Sequence, residues 1–117
     1  LILRGGIKPN NDEESVRQAV CLLSEKDISN GVIVDCSHGN SNKDYTKQPV
    51  VFKDIINQVK SNDDIRGLML ESYLKEGLQK IPGNKKDLLP GVSLTDACIS
   101  WDTTEKIILK AYEFLKK

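Results

Sequence analysis

The sequence lacks an excess of either charge, a long apolar run and a close pair of cysteines. Its 17 lysine and arginine residues are balanced by 17 aspartate and glutamate residues over 117 positions. This balance argues against a basic nucleic-acid footprint and against a polybasic membrane anchor. No apolar stretch approaches the roughly 20 residues that span a bilayer, and no signal-peptide pattern opens the chain. We therefore expect a soluble protein with neither a nucleic-acid nor a membrane partner.

The three cysteines are Cys21, Cys36 and Cys98, an odd number at wide spacings. They form neither a disulfide framework nor a CxxC pair, which favours a reducing, cytoplasmic setting. Cys36 and Cys98 are predicted to be small buried hydrophobic residues rather than nucleophiles. The opening Leu1-Ile2-Leu3 is typical of the tail of a strand, so we expect the chain to be a fragment of a longer protein.

Short apolar runs at 1–3, 31–35 and 65–70 predict three strands. None alternates cleanly between apolar and polar residues, as expected for strands that are covered on both faces in a parallel sheet. Amphipathic stretches at 12–25 and 49–60 predict helices between these strands. The alternation of strands and helices predicts an α/β fold built from βαβ units, with no internal domain boundary.

A last helix is predicted to open at Asp102 with an acidic variant of the capping box over 102–105. Apolar residues at helical spacing predict that its buried face consists of Ile108, Ala111, Tyr112 and Leu115. The connection that precedes this helix, from Glu71 to Trp101, is long and carries Pro-Gly turns. Loops of this length inside compact domains are usually functional or mobile.

Polar residues follow each predicted strand at the point where the strand ends. Arg4 follows the first, Asp35 and His38 follow the second, Glu71 follows the third, and Asp96 precedes the last helix. Because the carboxyl ends of parallel strands form the ligand-binding face, these side chains are expected to converge. An imidazole with two carboxylates suits manganese, iron, cobalt or zinc, and an arginine beside glycines suits a phosphate or carboxylate.

Each of these residues also has a plain structural interpretation. His38 alone is an ordinary polar loop residue, Glu71 and Asp96 alone are surface carboxylates or caps, and Arg4 alone pairs with a nearby carboxylate. Composition and spacing by themselves therefore predict a parallel α/β protein with a candidate anion or metal site.

Four segments sharpen this prediction because they stand in one order along the whole chain: Ile2–Gly6 (ILRGG), Asp35–Ser41 (DCSHGNS), Leu70–Gly77 (LESYLKEG) and Ser93–Trp101 (SLTDACISW). Together they resemble the last third of the type I 3-deoxy-D-arabino-heptulosonate-7-phosphate (DAHP) synthases.

The resemblance implies that residues 1–117 are the last three βα units of a (β/α)8 TIM barrel, the C-terminal part of a single catalytic domain. It implies condensation of phosphoenolpyruvate with erythrose 4-phosphate, the first step of the shikimate pathway. By motif, His38, Glu71 and Asp96 are metal ligands, and Arg4 binds the phosphate of phosphoenolpyruvate and acts in catalysis with His38. The implied partners are both substrates, the remainder of the barrel and further copies of the enzyme. Proximity in sequence adds the hypothesis that Asp35 supports His38.

Departures from the family pattern limit what this chain does alone. The family's fourth metal ligand is a cysteine on an early strand, a region that is absent here, and Tyr73 stands where a histidine is common. We therefore expect the isolated chain to be inactive. The alternatives are a non-catalytic fragment, or part of the related 3-deoxy-octulosonate 8-phosphate synthase.

Overall fold

The central sheet consists of three parallel strands in the order β1-β2-β3. The computed structural model describes residues 1–116, and in this part of the chain β1 covers Ile2–Leu3, β2 Val32–Asp35 and β3 Ile65–Met69. Ile2 aligns with Ile33 across the first pair of strands, and the second pair contains a register shift between Val32 and Ile33. This confirms an α/β chain with a parallel sheet, and β2 and β3 are each one residue shorter than predicted.

Two helices connect the strands. Helix α1 covers Glu13–Ser24 and helix α2 covers Gln48–Val59, after a short 3₁₀ turn at Tyr45–Lys47. Asp12 caps α1 by accepting a hydrogen bond from the Ser15 amide at 3.0 Å, which satisfies one of the unpaired amides of the first turn. The buried core comes from one face of each helix and from the strands: Leu3, Val16, Ala19, Val32, Val34, Cys36, Val51, Phe52, Ile55, Ile56 and Ile65.

The helices cover only one face of the sheet, and this corrects the expectation of strands covered on both faces. Val32 and Val34 are buried at 1% and 0% exposure, whereas Ile33 between them is 38% exposed and its partner Ile2 is 46% exposed. Successive side chains of a strand point to opposite faces. The face opposite the helices is therefore apolar and open in this chain.

The long connection after β3, which was predicted as a loop, contains short regular elements. It contains β4 at Ser72–Tyr73, a 3₁₀ turn at Lys85–Asp87 and β5 at Ile99–Ser100. Strands β4 and β5 pair in parallel as a small second sheet. The side chain of Gln79 braces the excursion between them, because it bonds the backbone of Leu89 twice and that of Val92 once.

Helix α3 covers Trp101–Leu115 and begins earlier than predicted. Its cap is Ser100, whose Oγ accepts a hydrogen bond from the Thr103 amide at 3.2 Å, so the predicted capping box at 102–105 is wrong. The predicted buried face is also partly wrong, because Ile108 and Tyr112 are 46% and 59% exposed. The residues that pack against the core are Ile107, Ala111 and Leu115. Over residues 1–116, none of the helices has the length and apolar character that crossing a bilayer requires.

Candidate metal centre

The carboxyl ends of the three central strands carry the polar residues that the sequence singled out. Arg4 directly follows β1, Asp35 is the last residue of β2, and His38 lies three residues beyond it. Glu71 lies two residues after β3, and Asp96 lies three residues before β5. Parallel pairing places Arg4, His38 and Glu71 at one edge of the sheet, and Asp96 joins them from the connection that precedes β5.

His38, Glu71 and Asp96 form a cluster in which one potential ligand atom from each residue lies within 4.8 Å of the others. The distance between His38 Nε2 and Glu71 Oε1 is 3.7 Å. Bonds of about 2.0–2.2 Å to a divalent transition metal place neighbouring ligand atoms roughly 3–4 Å apart. The His38–Glu71 pair therefore already has the spacing of a coordination shell, within a cluster that is at most 4.8 Å wide.

The contacts of His38 define its tautomer. Arg4 Nη2 lies 2.6 Å from His38 Nε2, and a guanidinium can only donate. Nε2 is therefore the unprotonated acceptor and Nδ1 carries the hydrogen. Nδ1 lies 2.7 Å from Asp35 Oδ2, but this contact does not meet hydrogen-bond geometry, and among residues 1–116 the buried Nδ1 has no aligned partner. This short polar contact favours the Nδ1–H form.

Asp35 is a fully buried carboxylate that holds the site together. Its Oδ2 accepts a hydrogen bond from Arg4 Nε at 3.1 Å, and its Oδ1 accepts one from the Ser37 amide at 2.8 Å. A buried carboxylate is costly unless it is paired and hydrogen-bonded, and Asp35 satisfies both conditions. The side chain of Arg4 remains 52% exposed, so part of its guanidinium is free to meet a ligand.

Two glycines bring the ends of β1 and β2 together. A Cβ atom on Gly5 would lie 2.6 Å from the carbonyl carbon of Gly39, and one on Gly39 would lie 2.8 Å from that of Gly5. Gly5 also has a φ of +70°, which glycine adopts without strain. This close approach sets the Arg4 loop directly against the His38 loop, and the Gly39 amide donates to the Arg4 carbonyl at 3.0 Å.

His38 itself has a φ of +49°, a left-handed conformation that is uncommon outside glycine. The surrounding hydrogen bonds hold it there: the Lys43 amide donates to the His38 carbonyl at 2.8 Å. Asn40, which is 4% exposed, donates to the carbonyls of Leu3 and Asp35 at 3.0 and 2.8 Å. Backbone strain of this kind persists where neighbouring contacts enforce it, and it is common at functional sites.

The backbone of Glu71 is held by a buried side chain from another element. Gln48, the first residue of α2, accepts a hydrogen bond from the Glu71 amide at 2.8 Å and donates one to its carbonyl at 3.2 Å. The Ile99 amide of β5 donates to the same carbonyl at 3.0 Å. The position of Glu71 is therefore tied to α2 on one side and to the strand that follows Asp96 on the other.

Two of the cysteines lie near the site and are buried, as predicted. Burial, with a smaller contribution from the charge of Asp35, raises the pKa of the Cys36 thiol to about 12. Burial also raises the pKa of Cys98, and its Sγ donates to the Asp96 carbonyl at 3.3 Å. Cys21 is exposed on α1, distant in sequence from the strand ends.

The structure brings together all five residues that the sequence proposed for the site. Asp35 lies in short contact with His38 and also binds Arg4, and its support of His38 stays a hypothesis. Sequence reasoning assigned no role to Asn40, which lies in the Asp35–Ser41 segment, or to Gln48. Pro49 marks the start of a helix, but nothing in the sequence distinguishes Gln48 beside it from an exposed glutamine. Its burial becomes visible only in the fold.

Fold and site together define an α/β protein with a candidate divalent-metal centre at the carboxyl ends of a parallel sheet. Residues 1–109 match the family model described as the DAHP synthetase I family. The chain belongs to this family.

Curated relatives support the same assignment. The chain is 43% identical over 117 residues to a Tyr-sensitive phospho-2-dehydro-3-deoxyheptonate aldolase of Enterobacter agglomerans, covering 99% of this chain and 55% of that protein. It is 41% identical over 116 residues to the Tyr-sensitive protein of Escherichia coli, covering 98% of this chain and 33% of that one. The solved structure of phospho-2-dehydro-3-deoxyheptonate aldolase from Francisella tularensis superposes with a TM-score of 0.91 at 43% identity, covering 99% of this chain and 34% of that one. The chain thus spans from about a third to about half the length of these proteins.

Proposed function

We propose that this chain is the C-terminal part of a DAHP synthase, and that the complete enzyme condenses phosphoenolpyruvate with erythrose 4-phosphate in the cytoplasm. The observation that carries this proposal is the convergence of His38, Glu71 and Asp96 in a chain of this family. The relatives described above bear the name of this activity, and none of them bears that of an octulosonate synthase.

The sheet supports the further proposal that residues 1–117 contribute the last three βα units of a (β/α)8 barrel, as one part of a single domain. In the central sheet, α1 follows β1, α2 follows β2, and α3 follows β3 after the long connection, and the helices lie on one face. The opposite face carries the exposed pair Ile2 and Ile33, and barrel interiors are filled by such branched apolar side chains. The remaining strands would pair with the outer edges of β1 and β3, so the first partner that we propose is the rest of the barrel. We also propose that the complete enzyme forms homo-oligomers.

The residues present fit a divalent metal. One neutral imidazole nitrogen and two carboxylates suit manganese, iron, cobalt or zinc, and Nδ1–H facing Asp35 leaves the Nε2 lone pair available. Arg4 Nη2 occupies the direction of that lone pair at 2.6 Å, so a metal on Nε2 requires Nη2 to move aside. The half-exposed Arg4 side chain permits this while its Nε stays on Asp35. When bound, such an ion supplies Lewis-acid polarisation of the aldehyde carbonyl.

The chain's own residues would then act by position and charge. Arg4, held by Asp35, offers a guanidinium fork to the phosphate of phosphoenolpyruvate and neutralises its charge. His38 directs its Nε2 toward Glu71, whose Oε1 lies 3.7 Å away. In the reaction, C3 of phosphoenolpyruvate attacks the aldehyde carbon, water adds at C2, and phosphate leaves through C–O cleavage.

A titration of the purified chain with Mn²⁺ tests the metal centre. We expect one equivalent to bind, and we expect His38→Ala, Glu71→Gln or Asp96→Asn to weaken binding by more than about tenfold, since loss even of an outer partner of a ligand costs that much. Glu14→Gln is the matched control, because Glu14 is exposed on α1 and pairs with Arg17. If none of the three substitutions changed the affinity for Mn²⁺, the proposed metal centre would be refuted.

The reaction is tested by mixing the chain with the upstream part of the E. coli relative and following phosphoenolpyruvate consumption with erythrose 4-phosphate. We expect turnover that needs both pieces and Mn²⁺ and that a chelator abolishes. A folded, metal-loaded complex that consumes no phosphoenolpyruvate would refute the reaction and leave the metal centre standing.

A further inference from the structure

Gln48 is a completely buried polar side chain at the start of α2. Its carboxamide faces the backbone of Glu71, with Oε1 2.8 Å from the amide nitrogen and Nε2 3.2 Å from the carbonyl oxygen. Since the backbone amide can only donate and the carbonyl can only accept, this orientation of the carboxamide alone satisfies both groups. A glutamine used in this way reproduces the two hydrogen bonds that a neighbouring strand would make.

The contact between Gln48 and Glu71 lies just beyond the end of β3. Strand β3 ends at Met69, so its ladder does not hold Glu71, the residue that carries a candidate ligand carboxylate. The Glu71 carbonyl also receives the Ile99 amide, which follows Asp96 by three residues. Gln48 therefore acts on the backbone of Glu71, to which the segment that follows Asp96 is also hydrogen-bonded.

We propose that Gln48 is a positioning residue for the metal centre: its carboxamide fixes the main chain of Glu71, and through it the carboxylate, at the distance from His38 that a divalent cation requires. This inference rests on the metal centre proposed above. Gln48 is not one of the candidate ligands, and it acts through Glu71. Outer hydrogen-bond partners that orient ligands commonly change metal affinity by 10–100-fold when they are removed.

The test compares Gln48→Met with Gln58→Met in the full 117-residue chain. Both glutamines are buried on α2, and Gln58 donates to the carbonyl of Asn11 at 2.8 Å, which is not a candidate ligand. Both substitutions keep side-chain length and remove the amide. Two quantities are measured: Mn²⁺ affinity by calorimetry, and the exchange rate of the Glu71 amide hydrogen by NMR without metal.

For Gln48→Met we expect Mn²⁺ affinity to fall by about 10–100-fold and exchange at the Glu71 amide to accelerate by about tenfold, as the loss of one hydrogen bond allows. For Gln58→Met we expect neither change, although it also removes a buried hydrogen bond. A purely structural role for Gln48 would leave Mn²⁺ affinity unchanged in both variants, and that result would overturn the proposal.

A second variant keeps the test decisive if Gln48→Met fails to fold. Gln48→Glu retains an acceptor for the Glu71 amide and loses the donor to its carbonyl, so we expect a loss of Mn²⁺ affinity with Glu71 exchange still slow. Parent-like affinity in that folded variant would overturn the proposal. Failure of the unmodified chain to bind Mn²⁺ would instead refute the metal centre, while fast Glu71 exchange in the parent would refute the anchoring by Gln48 separately.

Discussion

Replacing Gly5 by alanine tests the contact that joins the Arg4 and His38 loops. The added methyl group would lie 2.6–2.8 Å from backbone atoms of Gly39 and Asn40, so backbone rather than a flexible side chain must move. Overpacking of this kind costs about 1–3 kcal/mol, and the φ of +70° adds about 1–2 kcal/mol for a residue with a Cβ. We expect the free energy of unfolding to fall by about 2–5 kcal/mol, and Mn²⁺ affinity to fall because the two strand ends move apart.

The neighbouring Gly6 provides the control, because a Cβ there meets no atom within 4 Å and its φ is not in the left-handed region. We expect Gly6→Ala to change the free energy of unfolding by less than about 1 kcal/mol. The measurement is urea denaturation followed by circular dichroism for the parent and both variants. Equal stabilities for Gly5→Ala and Gly6→Ala would refute the reasoning that the two loops are held in backbone contact at Gly5.

Three further predictions follow from individual side chains. Asp35→Asn is expected to lower Mn²⁺ affinity by about 10–100-fold, whereas Asp12→Asn, which preserves a helix cap, should not; unchanged affinity in Asp35→Asn would remove its support of the site. At pH 8 the buried Cys36, with its pKa raised to about 12, should resist a thiol reagent that labels the exposed Cys21, and equal labelling rates would contradict its burial. Hydrogen bonds from Ser15 lower the pKa of Asp12 from 3.8, so the stabilisation by Asp12 should be present above pH 3.8 and lost as the pH falls below it. The measurement is the difference in the free energy of unfolding between the parent chain and Asp12→Asn as a function of pH. A difference that does not shrink at low pH would contradict this prediction.

The core of the fold was predictable because its signals are local. Helix α1 and helix α2 lie within one residue of the predicted bounds, since apolar residues at helical spacing must face the sheet. The same reasoning failed for α3, where Ile108 and Tyr112 have helical spacing but lie on a face that this chain leaves exposed. Periodicity reveals an apolar face, and it does not reveal whether the covering partner is part of the same chain.

The open face of the sheet illustrates the same limit. The sequence of β2 predicted a strand buried on both faces, and in this chain Val32 and Val34 meet the helices while Ile33 is 38% exposed. Burial of Ile33 is incomplete in this three-stranded sheet, so part of its apolar surface stays in water and contributes no stabilisation. An apolar residue on that face is well suited to a closed barrel, which supports the proposal that further strands complete this one.

Some residues of the candidate site are positioned by the order of the strands, and others only by the packing of separate elements. Arg4, His38 and Glu71 were expected to meet because parallel strands end at a common edge, and their convergence follows from topology. Gln48 could not be found by that reasoning, since its role depends on α2 starting beside the junction that follows β3. The residues that bear the chemistry are therefore recognisable from their motifs, whereas those that set the distances between them become visible only when separate elements are packed together. The comparison of Gln48 with Gln58 separates these two kinds of residue within one helix.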